Sequence, residues 1–100
     1  SGERAMFAAV ESMPCQRCEM FGQQQTTRTT VAHSNQLRDG KGRALKASWW
    51  RVAALCQACH VEIDQGSKLS KVERREQWDE AHRMTIGALF EAGLVEVKAA

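Results

Sequence analysis

Apolar and polar positions change their period several times along the chain, and each change marks an element. From Glu3 to Ser12 the apolar residues Met6, Phe7, Ala9 and Val10 recur at helical spacing, and Pro14 stops the segment. Thr26 to Ala32 is rich in β-branched residues (Thr26, Thr27, Thr29, Thr30, Val31), which predicts a strand delivering His33 at its end. Trp49 to Leu55 predicts a second strand leading into Cys56. A helix is expected from the Cys56–Cys59 turn to about Gln65, with Gly66 as its stop. Ser70 and Glu73 have the spacing of a capping box, and from Lys71 the pattern is helical again. Trp78, Ala81, Thr85, Leu89, Ile86 and Phe90 fall on one broad face of that helix. Gly93 ends it, and Leu94 to Val97 alternates like a short terminal strand.

Two stretches carry little apolar pattern. Gln23-Gln24-Gln25 reads as a loop. Ser34 to Ser48, with Asn35, Asp39, Gly40 and Gly42, reads as a long glycine-containing loop, and a long loop in a small domain usually has a function.

The chain of 100 residues fits one domain, 1–100, with a motif core at 15–66 and a helical extension at 67–100. Hydrophobic residues make up 43% and charged residues 26%, a globular rather than a disordered composition. The apolar run Ala5 to Val10 is too short for a signal peptide or a membrane span. A cytoplasmic protein with no membrane partner is therefore expected, and in that compartment paired Cys-x-x-Cys spacings favour a metal over disulfides.

Charge alters the picture more than composition does. The net charge of +2 hides a basic stretch from Arg28 to Arg51, where Arg28, Arg38, Lys41, Arg43, Lys46 and Arg51 face one acid, Asp39. That stretch is net +5 and suggests a polyanionic partner, the alternative being a solvated charged loop. Arg38, Lys41, Arg43, Lys46 and Arg51 are the candidate phosphate contacts, with DNA the expected partner.

All four cysteines lie in two Cys-x-x-Cys units, Cys15/Cys18 and Cys56/Cys59, with 37 residues between them. Phe21 and Gly22 close the first turn. Each short turn presents two sulfurs to one ion, and two such turns complete the tetrahedral set that zinc prefers. A structural Zn2+ held by Cys15, Cys18, Cys56 and Cys59 is the expectation. Attachment of a c-type haem at Cys56-Gln57-Ala58-Cys59-His60 would use only one of the two pairs. A thioredoxin-like redox pair would need a βαβ context that is missing, and two disulfides would suit a secreted protein.

His60 and Asp64 are four residues apart, on one face of the expected helix. A nitrogen and a carboxylate so placed can hold a divalent cation, with water and phosphate oxygens completing its shell. The plainer alternative is that His60 supplements the zinc site and Asp64 is surface. His33, followed by Ser34-Asn35, comes from the hairpin that must pack against that helix, and is the candidate general base with Asn35 beside it as a candidate catalytic residue. Such an arrangement can cleave phosphodiesters, with His33 facing the His60 cation. His82 lies far from these motifs in sequence and reads as structural or solvent-exposed.

The combination resembles a known family. Cys-x-x-Cys, then Val31-Ala32-His33-Ser34-Asn35, a Gly/Lys-rich loop, and Ala54-Leu55-Cys56-Gln57-Ala58-Cys59-His60 is similar to HNH endonucleases of the ββα-metal type with a four-cysteine zinc. Gly40-Lys41-Gly42-Arg43 with Lys46, followed by the Cys56 to Asp64 run, is more closely similar to small phage and prophage nucleases of the YbcO-like family. The likeness covers roughly Cys15 to Gly66. It implies an α+β fold, a small treble-clef-like ββα-metal domain stapled by zinc, with an added C-terminal helix. It also implies His33 as general base and His60 as ligand of a catalytic Mg2+ or Mn2+. The chain departs from the family pattern at Ala32, often a metal ligand, and at Trp49-Trp50, where a polar residue is usual. Those departures support a second reading, a non-catalytic zinc-finger module for nucleic acid or a protein partner. A third is an interaction, including a homodimer, through Trp78, Ile86, Leu89 and Phe90 of the C-terminal helix.

Overall fold

The computed structural model describes residues 2–35 and 49–96. Arg38, Lys41, Arg43, Lys46 and the end of the expected terminal strand, Val97, lie outside the described residues. The elements in chain order are α1 (Gly2–Glu11), α2 (Gln16–Phe21), β1 (Thr29–His33), β2 (Val52–Cys56), α3 (Gln57–Gln65) and α4 (Lys71–Glu91). This is a small α+β fold.

The sheet is one antiparallel pair, β1 against β2, in a register that runs from Thr29 opposite Cys56 to His33 opposite Val52. Both strands are shorter at the start than the residue pattern suggests. Residues 26–28 are engaged elsewhere: Thr27 Oγ1 accepts from Ala58 N at 3.0 Å, and Arg28 O accepts from Gln57 N at 2.9 Å. Those two bonds satisfy free N–H groups at the start of α3, so the chain ahead of β1 caps a helix instead of extending the ladder. Trp49 and Trp50 form a turn ahead of β2.

A two-stranded sheet cannot shelter itself, and helices cover it. On one face Ala32, Ala53 and Leu55 pack with the four cysteines, Ile63, Trp78 and Ala81. On the other, Val52 and Ala54, with Val31, pack with Met6, Val10 and Leu89. All five residues of β2 are buried, as expected of a strand covered on both sides.

Helix α4 supplies polar partners to the hairpin as well as apolar ones. Trp78 Nε1 donates to Ala32 O (3.3 Å), His82 Nδ1 donates to Val52 O (2.7 Å), and Thr85 Oγ1 accepts from Ala54 N (2.9 Å). His82 is thus structural. Thr85 also donates to Ala81 O at 2.7 Å, so its hydroxyl is fully used in a site with no solvent exposure. Trp78, Ala81, Thr85 and Leu89 form the buried stripe, but Phe90 is exposed, which corrects its assignment to that face.

The ends of α4 follow local rules. Ser70 and Glu73 form the reciprocal capping box, with Ser70 N donating to Glu73 Oε1 (2.8 Å) and Glu73 N to Ser70 Oγ (3.1 Å). At the other end Gly93 adopts φ +74°, and Leu94 N returns to Leu89 O at 2.9 Å. Residues 94–96 are not a strand. Leu94 and Val95 both spend their N–H on Leu89 O, closing the helix instead of pairing with the sheet. No helix among the described residues is long and apolar enough to cross a membrane.

Candidate metal centre and adjoining polar cluster

The two cysteine turns sit at helix starts. Cys15 is the N-cap of α2, its sulfur accepting from Cys18 N, and Gly22 closes that helix at φ +62°. Cys56 ends β2 and is the N-cap of α3. Pairing of β1 with β2 carries the second turn back to the first. The four sulfurs lie within 4.8 Å of one another, all buried and none in a disulfide. Cys18 Sγ is 3.9 Å from Cys56 Sγ and 3.8 Å from Cys59 Sγ. A tetrahedral ion with metal–sulfur bonds of ~2.3 Å places its sulfurs about 3.8 Å apart. The cluster is therefore sized and buried to hold a metal ion such as zinc.

The surroundings act on the thiols in opposite directions. Burial pushes the Cys18 and Cys59 thiols up from their ordinary values. At Cys56 burial also pushes up, but hydrogen bonds from Thr27 and from the Cys59 backbone outweigh it and bring the thiol down to about 7. Four sulfurs this close cannot all ionise without a cation between them, so the site favours charge neutralisation by an ion. Gln23 Nε2 approaches Cys18 Sγ (3.5 Å) and Cys59 Sγ (3.7 Å).

Arg17, inside the first turn, is buried, and its guanidinium acts on the Cys59 thiol, opposing the upward effect of burial there. It also donates to Gln77 Oε1 on α4 (2.8 Å) and to Glu62 Oε2 on α3 (2.6 Å). The guanidinium holds the Glu62 carboxyl below the usual carboxylate range. One side chain thereby ties α2, α3 and α4 around the cluster. The Cys-Gln-Arg-Cys spacing points to its sulfurs first; a long cation set between two ligands is the sequence signal for Arg17.

A second, polar cluster adjoins the first on α3. His60 Nε2 meets Asp64 Oδ2 at 2.9 Å, both partly exposed, and the carboxylate holds the imidazole above its ordinary value against the effect of burial. His60 Nδ1 lies 3.2 Å from Thr30 Oγ1, whose hydroxyl is also 2.8 Å from Leu55 O. Asn35 Nδ2 donates to Asp64 Oδ1 at 2.8 Å. Asn35, His60 and Asp64 are thus brought together as one cluster. Thr30 joins them, although its place in the sequence marks it only as a strand residue.

His33 lies on the other side of the strand. It stands opposite Val52, and alternation along β1 puts Thr30 and Ala32 on one face and Val31 and His33 on the other. Its ring is edge-on to Phe7 of α1, with centroids 5.4 Å apart. His33 is exposed, whereas Ala32 is wholly buried between it and the α3 face. The expectation of His33 facing His60 directly is replaced by His60 against Thr30, three residues before His33 and on the opposite face of β1. Among the described residues, the cysteine set alone groups three or more metal-donor side chains within bonding range of one ion. Of the candidate phosphate contacts, Arg51 is described: it is half-buried, and its guanidinium lies over the Trp50 ring at 4.1 Å. No family model, curated protein or solved structure matches the chain.

Proposed function

We propose that the chain is a metal-dependent DNA endonuclease of the HNH type, built on a zinc-stapled, treble-clef-like ββα frame. The observation that carries this reading is the His60–Asp64 pair, 2.9 Å apart on α3 and bonded through Asn35 to the end of β1. A helix histidine and carboxylate side by side would make a two-donor cation site, and the +5 charge counted along residues 28–51 suits a phosphate partner. Zinc is the ion assigned to Cys15, Cys18, Cys56 and Cys59, and the cytoplasm is the compartment in which those thiolates stay reduced.

His60 and Asp64 would hold a divalent cation, Mg2+ or Mn2+, which would supply stabilisation of charge on the phosphate and the leaving oxygen. Thr30 and Asn35 orient its two ligands. His33 takes the proton of the attacking water. Because His33 lies on the opposite face of β1 from Thr30 and His60, this role requires the DNA backbone to pass around the end of the strand. Arg38, Lys41, Arg43, Lys46 and Arg51 bind the flanking backbone. A phage or prophage setting follows from the resemblance to YbcO-like nucleases.

The test is plasmid nicking by the zinc-loaded chain with added magnesium or manganese. Nicking that depends on the cation and drops on His33→Ala supports the reading. No nicking, or equal nicking by His33→Ala, overturns it.

A second reading, a zinc module that binds nucleic acid or a protein partner without cleaving, is favoured by Ala32. That position is fully buried and offers no ligand, leaving His60 and Asp64 as a two-donor set. Salt-dependent DNA binding that needs no magnesium and leads to no cleavage would select it.

A further inference from the structure

Arg17 stands where a cation is costly. Among the described residues it is the charged side chain that the fold buries, with 9% of its surface left exposed. A buried charge persists only where opposite charge and hydrogen bonds offset its lost hydration. Two bonds account for part of that. Nε donates to the neutral amide oxygen of Gln77 at 2.8 Å, and Nη1 donates to Glu62 Oε2 at 2.6 Å. Glu62 is the more open partner, with 35% of its side chain exposed, and its other oxygen meets Lys68 Nζ at 3.7 Å. Water and a second cation therefore share the charge of that carboxylate.

The sulfurs have the opposite need. Four thiolates around one divalent ion leave a net negative charge, and here all four are buried. Neutral donors reach them: Cys18 N lies 3.4 Å from Cys15 Sγ, and Gln23 Nε2 lies 3.5 Å from Cys18 Sγ and 3.7 Å from Cys59 Sγ. Those groups bring dipoles and no charge. Arg17 brings charge from inside the Cys15–Cys18 turn, and its guanidinium acts on Cys59 of the other turn. Gln77 on α4 and Glu62 on α3 fix the planar fork from two helices, a task that suits guanidinium better than ammonium.

We propose that Arg17 is the counter-charge of the four-sulfur metal centre, held in place by Glu62 and Gln77, and that it retains the ion and keeps the metal-bound thiolates unreactive. The buried cation and the buried anionic cluster each offset the other's lost hydration. A thiolate beside a cation is also a poorer nucleophile, because its electron density is drawn toward the positive charge. This inference rests on an ion at Cys15, Cys18, Cys56 and Cys59 and not on the proposed cleavage.

The experiment uses the full chain loaded with zinc or with cobalt(II). Arg17→Met keeps a long apolar stem without the charge. In competition with a chromophoric chelator it binds zinc about tenfold more weakly than the parent, the usual loss when a group behind metal ligands is removed. N-ethylmaleimide alkylates its zinc-bound thiolates faster, and its cobalt–thiolate charge-transfer band moves to longer wavelength, because sulfurs without the neighbouring cation give up electrons more readily. Arg17→Lys keeps the charge and recovers most of both shifts. Glu62→Gln separates counter-charge from a mere tie between helices. It breaks the same ion pair but leaves the guanidinium charge in place and less shared, so its thiolates react more slowly than the parent's. A folded Arg17→Met chain that matches the parent in zinc affinity and alkylation overturns the proposal, and so does Glu62→Gln that reacts as fast as the parent or faster. Should Arg17→Met not fold, the Glu62→Gln comparison decides alone. A parent chain that binds no metal removes the metal centre and this role together, whereas bound metal indifferent to Arg17 removes this role only.

Discussion

The side-chain amide of Asn35 donates to Asp64 Oδ1 across 2.8 Å, although 29 residues separate the two in the chain. Asp64 gives its other oxygen to His60. One carboxylate therefore joins the residue just beyond β1 to the histidine that follows the second cysteine turn. In the proposed enzyme Asp64 is a ligand and Asn35 orients it. Asp64→Ala should abolish magnesium-dependent nicking, and Asn35→Ala should lower it about tenfold, the usual cost of losing a partner behind a ligand. Single-turnover nicking over a magnesium titration checks both, with the Asn35→Ala loss recovered in part at high magnesium.

The sulfur cluster makes a separate prediction about folding. The purified chain should hold one tightly bound metal ion, and cobalt(II) in its place should give the intense thiolate charge-transfer absorption of a four-sulfur site. Chelation, or Cys59→Ser, should remove the cooperative thermal transition, because among the described residues the four sulfurs join the start of α2 to the start of α3 at the centre of one apolar cluster. Elemental analysis and thermal circular dichroism read the two outcomes.

Thr85 offers a test of the fold that does not touch either cluster. Its hydroxyl is the partner of Ala54 N on the covered edge of β2. Thr85→Val keeps the shape but leaves that buried N–H without an acceptor, a cost of about 2 kcal/mol. For a chain of this size the midpoint should fall by roughly 10 °C. Thr85→Ser, which retains the bond and loses a methyl group, should fall by less.

The basic segment predicts a salt effect. Replacing Lys41, Arg43 and Lys46 together by glutamine should weaken DNA binding on every sequence. It should also flatten the log–log salt slope by about 1 for each phosphate that these side chains neutralise. Binding isotherms across a salt series measure it, and an unchanged slope removes these three residues from the interface.

The residue pattern by itself determined the parts that are local. Helix starts and stops follow from short-range bonds, so Pro14, Gly22, the Ser70–Glu73 box and Gly93 appear where the pattern put them. Paired Cys-x-x-Cys spacing pointed to the four-cysteine cluster that could hold a metal ion, because two short turns of sulfur ligands have few other uses. Strand ends and the terminal Leu94–Glu96 stretch were less legible, since a residue with strand propensity pairs only if no nearer partner takes its N–H. What tertiary structure alone decided is the facing of side chains. The β1–β2 register set His33 beside Phe7 and Thr30 beside His60, and a shift of one residue would have reversed both. The packing of α4 turned Thr85 and His82 into partners of β2 and left Trp50 at the surface, relations between residues about thirty positions apart that no local spacing encodes.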